Sequence, residues 1–333
     1  MQLLSLSADL GFGLGLRSLD PALALLGTNA EGLAIDGPSL RAVVRSPGLN
    51  WSGNMNDLLT YAAPSTKWIV NKAGVLESGT ALRCEYDPAT GDALGVRIET
   101  EQATNLFSRS DDFSNAVWPK GTATVTGGQL APDGSNGAVM FTGPFSTLYR
   151  SVTVASFVGG ICFCLYAKSG YNGTWSFLVR NATTATSLNS VDVNLTTGAV
   201  SGGTGIVEPA GNGFWRISIS QPTGISNGDS LALYYSRYAV ADSRALTLWG
   251  ADLFDRPQAS SHISAVASAA DRAADDITLP LADFPWNGGS GTLKLNGATV
   301  TPILNGASDA LDIDAMVAAA SATHLKTLTW VPA

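Results

Sequence analysis

Short runs of apolar and polar positions, separated by turn-forming residues, dominate the chain. Residues 94–99 alternate apolar and polar side chains as a half-buried strand does. Segments 34–35, 40–45, 67–71 and 83–86 read as further strands ahead of it. From Thr104 to about Asp276 the texture is all-β, with strands predicted at 152–154, 160–168, 174–180, 190–194, 215–220, 231–239 and 245–253. Gly127-Gly128, Asp133-Gly134, Ser169-Gly170, Thr197-Gly198, Gly211-Asn212-Gly213 and Asn227-Gly228 punctuate them, because Gly and Asn tolerate positive φ. Two short helices are expected. One is capped by Asp20, with Pro21 at its first position and Leu23, Leu25 and Leu26 before Gly27. The other covers 311–320, capped by Ser308 or Asp309, and a last strand spans 325–331. Residues 260–276 are rich in Ala and Ser and read as a linker or surface-running segment. The pattern predicts a mainly β fold, a sandwich or jelly roll.

Composition narrows the partners. The chain has 333 residues, enough for one large or two to three small cores. Its net charge is −8, and Lys and Arg are scattered singly, so nucleic acid is not an expected partner. An acidic, sparsely charged surface is compatible with neutral sugars. Cys84, Cys162 and Cys164 form no regular framework and are expected as buried thiols. Cys162 and Cys164 would share one strand face, a poor geometry for bonding to each other. The apolar N-terminus lacks a basic n-region, and no stretch reaches the ~18 apolar residues of a membrane span. Membrane insertion is not expected.

Material for catalysis is thin. The two histidines, His262 and His324, sit in no zinc or triad motif. Gly228-Asp229-Ser230-Leu231 spells an esterase motif but falls at a turn entering a strand, with no Asp-x-x-His downstream. Gly11, Gly13 and Gly15 give G-x-G-x-G outside any strand–helix frame. Glycoside cleavage needs two acids about 5–9 Å apart. No spacing singles out such a pair among Asp111, Asp112, Asp192, Glu208, Asp229 and Asp252. The chain therefore reads as a non-enzyme with no cofactor and no metal. Aromatic residues carry the binding expectation, since sugar rings lie on flat apolar platforms edged by a few polar groups. Trp118, Trp215 and Trp249 are assigned to the core. Tyr171, Trp175, Arg180 and Asn181 on one strand, with Tyr235 and Arg237 on another, are the candidate ligand residues.

The order of motifs resembles the lead-in and carbohydrate-binding-module-like domain of phage head-spike and tail-fibre proteins. Arg83-Cys84-Glu85-Tyr86-Asp87-Pro88-Ala89-Thr90-Gly91 is followed by Leu94-Gly95-Val96-Arg97-Ile98-Glu99 and Thr104-Asn105-Leu106. Asp112-Phe113-Ser114-Asn115-Ala116-Val117-Trp118 comes next, then Pro132-Asp133-Gly134 and the strand ending at Lys168. Asn194-Leu195-Thr196-Thr197-Gly198, Asn212-Gly213-Phe214-Trp215-Arg216 and Leu248-Trp249-Gly250-Ala251-Asp252-Leu253 continue the series. His262-Ile263 and Asp271-Arg272-Ala273-Ala274-Asp275 end it. One departure is Phe254, which stands where the family carries an acid.

The resemblance covers roughly residues 83–276. It implies a jelly-roll β-sandwich on the surface of a phage or gene-transfer particle, assembled in a bacterial cytoplasm. It also implies a homotrimer that binds host cell-surface polysaccharide for attachment. The expected organisation is a region at 1–103 that attaches to other virion proteins, the sandwich at 104–276, and a short α/β closing element at 277–333. A purely structural capsid decoration or tail adaptor and a capsule depolymerase are the alternatives.

Overall fold

The computed structural model describes residues 20–27, 32–46, 49–62, 66–144, 146–154, 160–236, 242–281, 291–304 and 310–332. The chain is mainly β, and its central part is a β-sandwich. Eight strands form the sandwich: β1 (Ala138–Thr142), β2 (Leu148–Thr153), β3 (Ile161–Lys168), β4 (Thr174–Asn181), β5 (Thr186–Asn194), β6 (Trp215–Gln221), β7 (Ser230–Ser236) and β8 (Ala245–Phe254). One sheet runs β1-β8-β3-β6 and the other β2-β7-β4-β5, all antiparallel. That alternation between sheets along the chain is the strand order of a jelly roll. Thr124–Gln129 and Ile206–Pro209 extend the first sheet, and Val200–Gly203 extends the second.

The strand parity of β3 explains its unbroken apolar run. Phe163, Leu165 and Ala167 face the inter-sheet core, with Phe177, Val191, Ile217 and Leu233. Cys162, Cys164 and Tyr166 face the other way and are buried as well, under covering segments. A strand covered on both sides needs no polar face. Phe113 and Trp118 plug the open end of the core, stacked at 4.4 Å between ring centroids. Asp112 and Asn115 fold that loop by accepting from the Ser114 and Val117 amides, and the Trp118 indole donates to the Arg109 carbonyl at 2.8 Å.

The two segments flanking the sandwich share one sheet and one core. A six-stranded sheet joins Gly32–Asp36, Arg41–Ser46 and Leu49–Asn54 to Thr327–Pro332, Gly291–Leu295 and Ala298–Thr299. Leu33, Ile35 and Val44 pack there against Leu279, Leu293, Leu328 and Trp330. The chain enters the sandwich through Ala103–Asn105 and leaves through Ala270–Arg272, which pair with each other. No helix among the described residues is long and apolar enough to cross a membrane.

Several expectations need correction. Residues 260–276 run along the surface only in part: Val266 is 71% exposed, but Ser260, His262 and Arg272 are 0%, 0% and 1% exposed. Gly127-Gly128 is a register shift inside a strand, not a turn. The second helix is Ile313–Ala319, capped by Asp312 through the Ala315 amide at 2.9 Å, because residues 310–312 form a strand against Ile277–Pro280. The first helix matches expectation, with the Asp20 carboxylate accepting from the Ala22 amide. Gly11, Gly13, Gly15, Ser308 and Asp309 lie outside the described residues.

Candidate functional site

Where the sandwich meets the flanking unit, the motif residues assemble a buried polar network. Glu99 accepts from the Arg97 Nε at 2.8 Å and the Ser261 amide at 2.9 Å through one oxygen. Its other oxygen accepts from Arg272 Nη2 and the Ser260 hydroxyl, each at 3.2 Å. Asp275 accepts from Lys67 Nζ and from the Glu99 amide, both at 2.7 Å, and from the Tyr61 hydroxyl at 3.1 Å. Burial alone would drive the Glu99 carboxyl to hold its proton. The guanidinium groups of Arg97 and Arg272 outweigh that and keep it well below the usual carboxylate range.

Above this network opens a cleft of about 350 Å³. Trp68, Val70 and Leu76 reach it from the hairpin Lys67–Val70 and Leu76–Gly79, and Glu85, Tyr86 and Arg97 from the strands Cys84–Tyr86 and Ala93–Arg97. The sandwich supplies Tyr166, Glu208, Arg216 and Ser261, and His324 closes one side. Glu85 is held by Arg97 at 3.3 Å and His324 at 2.7 Å. Burial opposes its charge, but Arg97 and His324 prevail and hold it at about 2. Two polar atoms of lining residues, Arg216 Nε and Ser261 Oγ, have no hydrogen-bond partner and are sealed from solvent. Flat rings beside a few oriented polar groups make a ligand pocket in chemical terms.

Trp68 also lines a second cavity, of about 360 Å³, with His262, Ser264 and Arg272. His262 is wholly buried between two carboxylates. Its Nδ1 lies 3.0 Å from Asp252, and its Nε2 lies 2.5 Å from Asp111. Burial disfavours the imidazolium, but Asp252 and Asp111 raise it to about 10. The Ser264 hydroxyl bonds Asp111 rather than the imidazole. The histidine is thus a cationic clamp between two acids. Among the described residues no group of three or more His, Cys, Asp or Glu is placed to hold a metal.

The candidate ligand residues do not converge, and among those described none lines the cleft. Trp175, Asn181 and Tyr235 are core residues, 4%, 1% and 1% exposed, and this corrects their assignment as ligand contacts. The Asn181 amide is spent on Asp229 at 2.8 Å, and the Tyr235 hydroxyl on the Pro119 carbonyl. Tyr171 is half-buried, edge-on to Trp175 and covered by the Arg244 guanidinium at 4.1 Å. Arg180 is half-exposed and donates to the Ala185 carbonyl at 3.4 Å. Arg237 lies outside the described residues. On β7 it is Tyr234 that faces outward, paired with Tyr149 at 4.8 Å between centroids. Trp118 and Trp249 are buried as expected, while Trp215 is half-buried and donates to the Leu195 carbonyl. The cleft residues Trp68, Arg216 and Ser261 had one signal in the sequence: a charged residue inside the apolar strand of Trp215-Arg216-Ile217-Ser218-Ile219.

No family model matches the chain, and no curated protein matches it. Ten solved chains do match. One of them is described as "Structural basis for the promiscuous specificity of the carbohydrate-binding modules from the beta-sandwich super family". It is 10% identical and covers 68% of this chain and 86% of its own length, with a TM-score of 0.33.

Proposed function

We propose that the chain is a non-catalytic, carbohydrate-binding fibre or spike protein on the surface of a phage-type particle. In this reading the junction cleft holds host cell-surface polysaccharide. The cleft carries the reading: the half-buried rings of Trp68 and Tyr86 stand in it beside the charged side chains of Glu85, Arg97, Glu208 and Arg216. The ordered motifs of residues 83–276 supply the particle context, with attachment to other virion proteins through the N-terminal region and a homotrimer as the symmetric assembly. A glycan array tests the reading. The intact chain should bind a defined glycan set, and Trp68→Ala, which removes a half-buried ring, should abolish the signal without unfolding the protein. Silence of the intact chain, with incorporation into particles unimpaired, would favour a purely structural decoration or adaptor instead. Release of reducing ends from host polysaccharide would favour a depolymerase.

A further inference from the structure

Trp68 is a common wall of the junction cleft and the second cavity. The two spaces also adjoin along the chain: Ser261 lines the cleft and the next residue, His262, lines the cavity. The indole between them is half-buried and braced. Trp249 meets it edge-on at 5.4 Å between ring centroids, and the His262 ring lies 5.9 Å away. The preceding residue, Lys67, is anchored on Asp275 at 2.7 Å, which fixes the hairpin that carries the ring. At about 350 and 360 Å³, each space lies at the small end of the range for ligand pockets and suits a single sugar ring. The cavity has its own chemistry. Its buried members, His262 and Arg272, are already bonded. Its exposed members include Thr66, Ser78 and Asp271. Ser78 is the cross-strand partner of Trp68, so its hydroxyl and the indole share one face of the hairpin. The side chains of Thr66, Ser78 and Asp271 make no hydrogen bond or ion pair among the described residues, so they are free to exchange water for a ligand.

We propose that this cavity is a second saccharide subsite, and that the ligand is an oligosaccharide running from the cleft past Trp68 to Asp271. This rests on the carbohydrate reading of the cleft. One sugar residue lies against Trp68 and Tyr86 in the cleft, the next lies in the cavity, and the linkage between them crosses the indole. An ionised carboxylate accepts through two oxygens, which suits two adjacent hydroxyls of one sugar ring. The hydroxyls of Thr66 and Ser78 can donate or accept beside it. Hydrogen bonds to a charged group are stronger than neutral ones, so Asp271 contributes most of the second subsite.

The test is a glycan array printed with length series, from mono- to tetrasaccharide, of glucose, galactose, mannose and N-acetylglucosamine, and probed with the full chain. In the series that binds, disaccharides and longer glycans should bind about tenfold or more above their own monosaccharide, the gain expected from hydrogen bonds to a charged group. Asp271→Ala should erase that gain and leave the melting temperature unchanged, because the carboxylate is exposed and holds no partner. Thr66→Val, which replaces a hydroxyl by a methyl, should erase part of it and keeps the test decisive if the first variant misfolds. A monosaccharide that binds as tightly as its longer relatives would overturn the second subsite and leave the carbohydrate reading standing. A gain with length that survives both substitutions unaltered would do the same. Silence of the folded chain across the whole array would sink both.

Discussion

Glu99 and Arg272, 173 positions apart in sequence, meet in the buried junction with Arg272 Nη2 at 3.2 Å from Glu99 Oε2. The two belong to separate motif segments, and each also holds the polypeptide around it. Arg272 donates to the Glu101 and Ala273 carbonyls, and Glu99 receives the Ser261 amide. Removing Glu99 leaves Arg272 buried without its ion-pair partner, and removing Arg272 leaves Glu99 with Arg97 alone. Glu99→Ala and Arg272→Ala should each destabilise the fold by about 3–5 kcal/mol. The double variant should cost less than the two together, because it leaves no orphaned charge on either side. Urea denaturation measures all three. Single variants within about 1 kcal/mol of wild type would show that the pair bears no strain.

The clamp on His262 has a pH signature. Its folded pKa of about 10 lies above the ordinary histidine value of 6.5. The folded state therefore binds a proton that the unfolded chain releases as pH rises. The stability gained is complete below about pH 6.5 and drains away as pH climbs toward 10. Thermal melts should fall across that window by an amount equivalent to a few kcal/mol. His262→Gln, which cannot ionise, should start lower and flatten the profile. A wild-type curve that is level from pH 6.5 to 10 would contradict the cationic clamp.

Gly211 is the glycine whose freedom docks the flanking hairpin onto the sandwich. Its φ of +86° is in the left-handed region, and a Cβ there would strike the Gly74 carbonyl oxygen. Gly211→Ala should cost more than about 1 kcal/mol, through backbone conformation and collision together. Gly91, at φ +77° with open space around it, serves as the control and should pay only the conformational part. Equal melting temperatures for the two variants would argue against a tight approach at Gly211.

Two aromatic surfaces are candidates for the proposed sugar site, and substitution separates them. Exposed Tyr149 and half-buried Tyr234 pair on the outer face of the second sheet, while Trp68 stands in the cleft. Tyr149→Ala should leave glycan binding within about twofold of wild type, whereas Trp68→Ala should weaken it at least tenfold, the loss of roughly 1.4 kcal/mol or more of contact. The reverse ranking would move the site to the sheet face.

The thiols should be silent in the native state. Cys162 and Cys164 are 1% and 0% exposed, with their sulfurs 3.6 Å apart, and Cys84 is 7% exposed. A thiol reagent should label all three only after denaturant is added. Prompt labelling of Cys162 or Cys164 in buffer would mean that the 260–270 segment lifts off β3 readily.

Much of the sandwich was legible because turn-forming residues bound its strands. β3, β4, β6 and β8 begin and end within about two residues of the pattern, since Gly, Asn and Ser groups punctuate apolar-rich runs. The binding residues were not legible, for two separate reasons. On β7, Leu231, Leu233 and Tyr235 share one parity and fill the core, so the alternation already turns Tyr235 inward; its aromatic ring alone made it a candidate. In residues 260–276 burial is achieved by hydrogen bonds instead of apolar contact. Ser260, Arg272 and Asp275 look like surface residues until Glu99 and Lys67 are brought against them by the fold. Hydrophobic periodicity has no term for that kind of interior.

The pairing of Ala103–Asn105 with Ala270–Arg272 sets the way in and the way out of the sandwich side by side. The chain between those two short strands joins the frame at one doorway, Gly211 seats it against the hairpin at Gly74, and the frame closes on itself through its own six-stranded sheet. A different sandwich could be grafted through the same opening without rebuilding the frame, so long as it preserved the grip of Ser260, Ser261 and Arg272 on Glu99. The architecture is that of a holder and a separable head, which can vary while the mounting stays constant.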